Sequence, residues 1–101
     1  MFCCYILHSK SIDRYYVGET NSMEERLNQH NHSFFENSYT KQADDWTVVL
    51  QLECKNRIHA RKVEAHIKQM KSRDYIENLK KYPEMRQKLI SRFSNEGSGS
   101  R

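Results

Sequence analysis

Two short apolar runs separated by one polar turn do most to restrict how this chain can fold. Phe2-Cys3-Cys4-Tyr5-Ile6-Leu7 is unbroken and favours extended structure, residues 9–13 are polar, and Arg14-Tyr15-Tyr16-Val17 is aromatic and apolar again. A connection of that length suits an antiparallel hairpin. Each strand carries a tyrosine, Tyr5 and Tyr16. Gly18 is expected to end the second strand, where the backbone can adopt a conformation other residues resist. Thr20-Asn21-Ser22 then precedes the run from Met23 to His30. Ser22 with Glu25 three positions on fits a capping box, and Glu24 and Glu25 suit the positive end of a helix. Met23, Leu27 and His30 share one stripe with Arg26 at its edge. A helix that starts where the second strand ends therefore carries arginine and histidine on its inner face.

The pattern lapses over residues 31–45, a long polar stretch with Phe34, Phe35 and Tyr39 scattered through it, of the length that tends to carry function. Trp46 to Cys54 is β-branched and partly alternating, and reads as a third strand. Asn56 can cap a long helix from Arg57 to about Lys71, with Ile58, Val63, Ile67 and Met70 on one face. Ser72 restarts a helical piece through Leu79 that stops before Pro83, and a last short helix over 84–93 buries Met85 and Leu89, with Phe93 behind them. The order β-β-α-β-α-α places three strands with helices on their flank, hence a small α/β or α+β layer. Residues 1–93 form one domain, and 94–101, rich in Gly and Ser, a flexible tail.

Composition narrows the function classes. A chain of 101 residues is one small domain, and 11% aromatics can build its core despite a hydrophobic fraction of only 37%. No apolar run is long enough to span a bilayer and no leader pattern is present, so a cytoplasmic protein with three reduced cysteines is expected. The net charge of +4 makes a polyanion such as nucleic acid a candidate partner.

Five residues could carry chemistry together. Tyr5 and Tyr16 could meet on one face of the hairpin, although most tyrosines are half-buried aromatics with wet tips. Arg26 offers a planar fork to phosphate oxygens, and His30, one turn on, can donate to one or relay a proton. Glu64 neighbours Val63 and Ile67 on an apolar edge, where a carboxylate is costly unless it is paired or binds a cation. A single carboxylate with waters and a substrate phosphate is a common way to hold Mg²⁺, while an ion pair with Arg61 or Lys68 would satisfy it locally. The cysteines do not form a zinc pattern: Cys3 and Cys4 are adjacent, and alternation sends them to opposite faces.

These residues resemble a known set. Cys3-Cys4-Tyr5, followed eleven residues later by Tyr16-Val17-Gly18, is similar to the two tripeptides of the GIY-YIG nuclease superfamily, and YYVGETNSMEERLNQHN with ARKVEAHIKQMKSRDYIENL resembles its small single-domain bacterial branch. The likeness covers roughly residues 2–79. It implies a three-stranded antiparallel sheet flanked by helices and a phosphodiester cleaved with one divalent ion, Mg²⁺ or Mn²⁺. Carried over, Tyr5 would be the general base or its hydrogen-bond partner, Tyr16 would orient the water or phosphate, and Arg26 would bind the scissile phosphate. His30 would assist proton transfer, Glu64 would bind the metal, and Asn78 would match a polar residue that follows the glutamate. Cys3 and Cys4 replace glycine and isoleucine of the first tripeptide. Glu19 stands where several relatives carry lysine, and an acid there would repel a phosphate unless it faces away.

A metal-dependent endonuclease acting on DNA is therefore the leading expectation. A non-catalytic nucleic-acid-binding module on the same scaffold, using basic residues such as Lys41 and Lys71, is the alternative. Strandedness, sequence preference and oligomeric state stay open.

Overall fold

The computed structural model describes residues 1–31 and 42–94. Its elements are β1 (Cys3–Ser9), β2 (Arg14–Thr20), α1 (Met23–Asn31), β3 (Trp46–Glu53), α2 (Arg57–Met70), α3 (Arg73–Lys81) and α4 (Pro83–Ser94). The sheet is antiparallel throughout, in the order β2-β1-β3, so the hairpin's second strand is an outer edge. Among the described residues it is an α+β fold of three strands and four helices, and the short helix expected over 84–93 is α4, the last in the order β-β-α-β-α-α-α. Lys41 and the aromatic residues expected in the long loop lie outside the described residues, as does the tail beyond Ser94.

Local chemistry sets the joints. Asp13 closes the hairpin in the left-handed region, φ 52°, which Asp tolerates better than most residues. Its carboxylate meets His8 Nε2 at 3.0 Å and the Arg73 guanidinium at 2.5 Å, so the turn is tied to the start of α3. Asn56 Oδ1 accepts the His59 N–H and Ser72 Oγ accepts the Tyr75 N–H, capping α2 and α3. Pro83 opens α4, where its missing N–H is no loss.

The alternation of β1 divides the interior in two. Cys4 and Ile6 face α2, α3 and α4 in an apolar core with Val17, Leu52, Val63, Ile67, Ile76, Leu79 and Leu89. Cys3, Tyr5 and Leu7 face the opposite side, with Trp46 and the partly buried Tyr16, Met23 and Leu27. The β1–β3 register shifts between Ile6, opposite Leu50, and Leu7, opposite Val48, so Val49 is an extra residue in β3. That bulge lets Trp46 and Val48 serve the α1 side while Leu50 and Leu52 serve the other.

Two expectations are corrected. Gly18 does not end β2; the strand continues to Thr20, and among the described residues no glycine has positive φ. The stripe of α2 is also displaced: His59, Ala60, Val63 and Ile67 are buried, whereas Ile58 is 62% and Met70 44% exposed. Ile58 lies two and a half turns before Ile67 and so on the opposite side of the helix. Met70 is the last helical residue, past the packed turns. His59 takes the place the pattern gave Ile58, because both ring nitrogens are satisfied, by the Lys55 N–H at 3.0 Å and the Ile90 carbonyl at 2.9 Å.

Candidate active site

Tyr5 and Tyr16 lie diagonally across the hairpin, not directly opposite, because Tyr5 pairs with Gly18 and Leu7 with Tyr16. Their ring centroids are 6.4 Å apart. The Tyr5 ring covers the cross-strand position: a Cβ on Gly18 would stand 2.5 Å from Tyr5 Oη and 3.1 Å from Tyr16 Cε2. Glycine is required here for space beneath the tyrosine, not for backbone freedom.

Helix α1 supplies the third ring. Its C-terminal end is anchored by Asn31, whose side chain accepts the Trp46 N–H at 2.7 Å and donates to the Trp46 carbonyl at 3.0 Å. This two-point clamp on β3 fixes the preceding residue, His30, which is 1% exposed. His30 Nε2 lies 2.9 Å from Tyr5 Oη, and its ring is 4.9 Å from that of Tyr16. Burial, reinforced by the nearby Arg26 charge, lowers the imidazole pKa to about 4, so the ring is neutral at physiological pH. With the imidazole proton on Nδ1, the Tyr5 hydroxyl donates to Nε2. Burial first, then the neighbouring Tyr16 and Glu64, raise the Tyr5 pKa, while Arg26 opposes them. Tyr5 is a protonated donor at neutral pH, set against a histidine able to accept.

Glu64 comes from α2 on the opposite face, and at the β2 edge it lies close enough for its charge to reach Tyr5. Its carboxylate pairs with Lys68 Nζ at 2.7 Å, and that ammonium lies 5.9 Å from the centre of the Tyr16 ring. Lys68 therefore reaches around the sheet edge, and the local ion pair weighed for Glu64 is the one formed. Glu64 is only 18% exposed. A lone, partly open carboxylate fits Mg²⁺ or Mn²⁺, which keep several waters and take substrate oxygens to complete the shell. Among the described residues no group of three or more His, Cys, Asp or Glu is arranged to hold a metal, so any ion would depend on Glu64, water and substrate.

Glu19 faces away. It pairs with Cys4 across the ladder, on the α2 side, where Arg57 Nη1 meets it at 3.2 Å and Arg61 Nε at 3.5 Å. Two arginines offset its charge, and the repulsion expected of an acid at this position is absent from the tyrosine face. Asn78 is not brought to the site: it is exposed on α3, where its carbonyl accepts the Tyr82 N–H as the helix ends. Lys71 sits at the end of α2, near Lys68, and Lys41 lies outside the described residues. Sequence reasoning missed Asn31 as the anchor of His30, and the only signal was an amide at a helix end.

Among the described residues no helix is long and apolar enough to cross a membrane. Compared with known families, the chain matches the GIY-YIG catalytic domain over residues 1–81. No curated protein and no solved structure matches it.

Proposed function

Because the chain belongs to the GIY-YIG family, we propose that it is a divalent-metal-dependent endonuclease that hydrolyses phosphodiester bonds in DNA. The observation that carries this reading is the buried contact of 2.9 Å between Tyr5 Oη and the neutral His30. Hydrolysis needs a deprotonated water, charge stabilisation at the phosphoryl oxygens and relief of the leaving oxygen. Tyr5 takes a proton from the water as it passes its own to His30 Nε2. Tyr16, less deeply buried than Tyr5, orients that water. Arg26, close enough to both Tyr5 and His30 to shift them, holds the scissile phosphate. Glu64 holds the ion. When bound, Mg²⁺ or Mn²⁺ supplies positive charge at the phosphoryl and leaving oxygens.

A second reading, a nucleic-acid-binding module without catalysis, is favoured by one fact: Lys68 already occupies the Glu64 carboxylate. Incubation of labelled single-stranded, duplex and branched DNA with Mg²⁺, with Mn²⁺ and without either, beside Glu64→Gln and Arg26→Ala, separates the two. The nuclease reading requires metal-dependent cuts that Glu64→Gln abolishes. Binding without cutting, across all substrates and both metals, establishes the module instead.

A further inference from the structure

A groove of about 440 Å³ runs along the α2 side of the β2 edge, across the sheet from the tyrosine–histidine group. Its apolar lining comes from Val17, Ile67 and Ile76, with Tyr15 beside them, and its rims carry Arg14, Lys68, Lys71 and Arg73. The one acid there, Asp13, is already neutralised by Arg73, which also lies over the Tyr15 ring at 5.1 Å. Among the described residues Arg14 and Lys71 have no acidic partner, so two cations face the groove without an acid to offset them. Lys71 is held in place by its backbone. It closes α2 in the left-handed region, φ 47°, with its N–H bonded to the Lys68 carbonyl. Glycine is the residue favoured at such a cap, so lysine stands here at a conformational cost. Lys68 joins the groove to the site, since its ammonium both lines the groove and lies over Tyr16.

We propose that this groove carries the sugar–phosphate backbone of the nucleic-acid strand next to the phosphate that is cut, with Arg14 and Lys71 each holding a phosphate. The inference rests on the nuclease reading and adds the path of the strand, which passes from Tyr16 around the free edge of β2. Paired rim cations suit phosphates, and an apolar floor with an aromatic ring suits sugars and bases. A peptide of acidic side chains would use the charge but not the ring.

The test is binding of a fluorescent single-stranded or duplex oligonucleotide to the full chain in EDTA, where no cut occurs. Arg14→Ala and Lys71→Ala each weaken binding about three- to tenfold and lower the slope of log K against log salt by roughly 0.7 to 0.9. Lys71→Gly relieves the strained cap, keeps or raises thermal stability, and weakens binding as Lys71→Ala does. Lys10→Ala and Lys88→Ala, on exposed positions elsewhere, leave binding unchanged. If the groove variants bind with the parent's affinity and slope, the groove is not the path, although the nuclease reading stands. Competition by oligoglutamate as effective as that by unlabelled DNA also overturns it. If the parent binds none of the oligonucleotides in EDTA yet cuts them in Mg²⁺, the groove is not the path; if it neither binds nor cuts, the nuclease reading falls and takes the groove with it.

Discussion

The two faces of the sheet are built from the same strands and serve opposite ends. Under α2, α3 and α4 the interior is aliphatic, with Ile6, Val63, Ile67 and Leu79 almost fully removed from water. Under α1, the described residues bury Tyr5 and His30 instead, groups whose polar atoms must be satisfied there. Alternation along β1 assigns the jobs one residue at a time: Ile6 to cohesion, Tyr5 beside it to chemistry. Removing atoms from the first face should therefore cost stability, and from the second, activity.

Tyr5→Phe tests this division most severely. It should lower kcat/KM for cleavage about 100-fold or more while reducing unfolding free energy by only about 1 kcal/mol, the worth of one hydrogen bond. A variant that unfolds readily but cuts normally would erase the distinction. Leu79→Ala is the mirror image. Fully buried in the aliphatic core, it should lose about 3 kcal/mol in urea unfolding and cut at the parent's rate wherever it is folded.

Acid separates the faces without mutation. The His30 pKa is lower in the folded chain, about 4, than the ordinary 6.5. The folded state thus resists protonation, and its stability is full above pH 6.5 and falls as pH drops towards 4, by up to about 3 kcal/mol. His30→Gln should remove that part of the pH dependence, as urea midpoints at pH 7 and pH 4.5 would reveal. The acid limb of kcat/KM should lie near pH 4 and not near 6.5, and a limb at 6.5 would deny the buried, neutral imidazole its role. The smallest effect belongs to Glu19→Gln. It removes a carboxylate held by two largely exposed arginines, so stability should fall by less than about 1 kcal/mol and cleavage should stay within twofold. A large gain in cleavage would mean that its charge reaches the scissile phosphate after all.

The elements that were legible in the sequence are those determined locally. The hairpin, the acidic start of α1 and the caps at Asn56 and Ser72 depend on neighbours within a few positions, and their side chains announce them. Tyr5, Tyr16 and His30 could be listed from the chain, but not their arrangement. The diagonal of the tyrosines depends on ladder register, and the seat of His30 on the distant clamp between Asn31 and Trp46. Gly18 was noticed for the wrong reason, since only the three-dimensional register places the Tyr5 ring over it. Ile58 misled because periodicity defines a stripe without fixing which side of the helix meets the sheet, and His59 could be buried only with partners at Lys55 and Ile90. The orientation of Glu19 likewise waited on the arginines of α2.

The extra residue in β3 frees the parity of that strand from the face each residue serves. Trp46, Val48, Leu50 and Leu52 have the same parity, yet the bulge at Val49 sends the first pair and the second pair to different cores. Deleting Val49 would give the two pairs opposite parity in a regular ladder, so each would keep its present side. Trp46 would stay beside the Asn31 clamp. The bulge is thus how a strand of uniform parity serves two interiors at once, and its loss should cost less than a polar residue placed at Trp46 or Leu52.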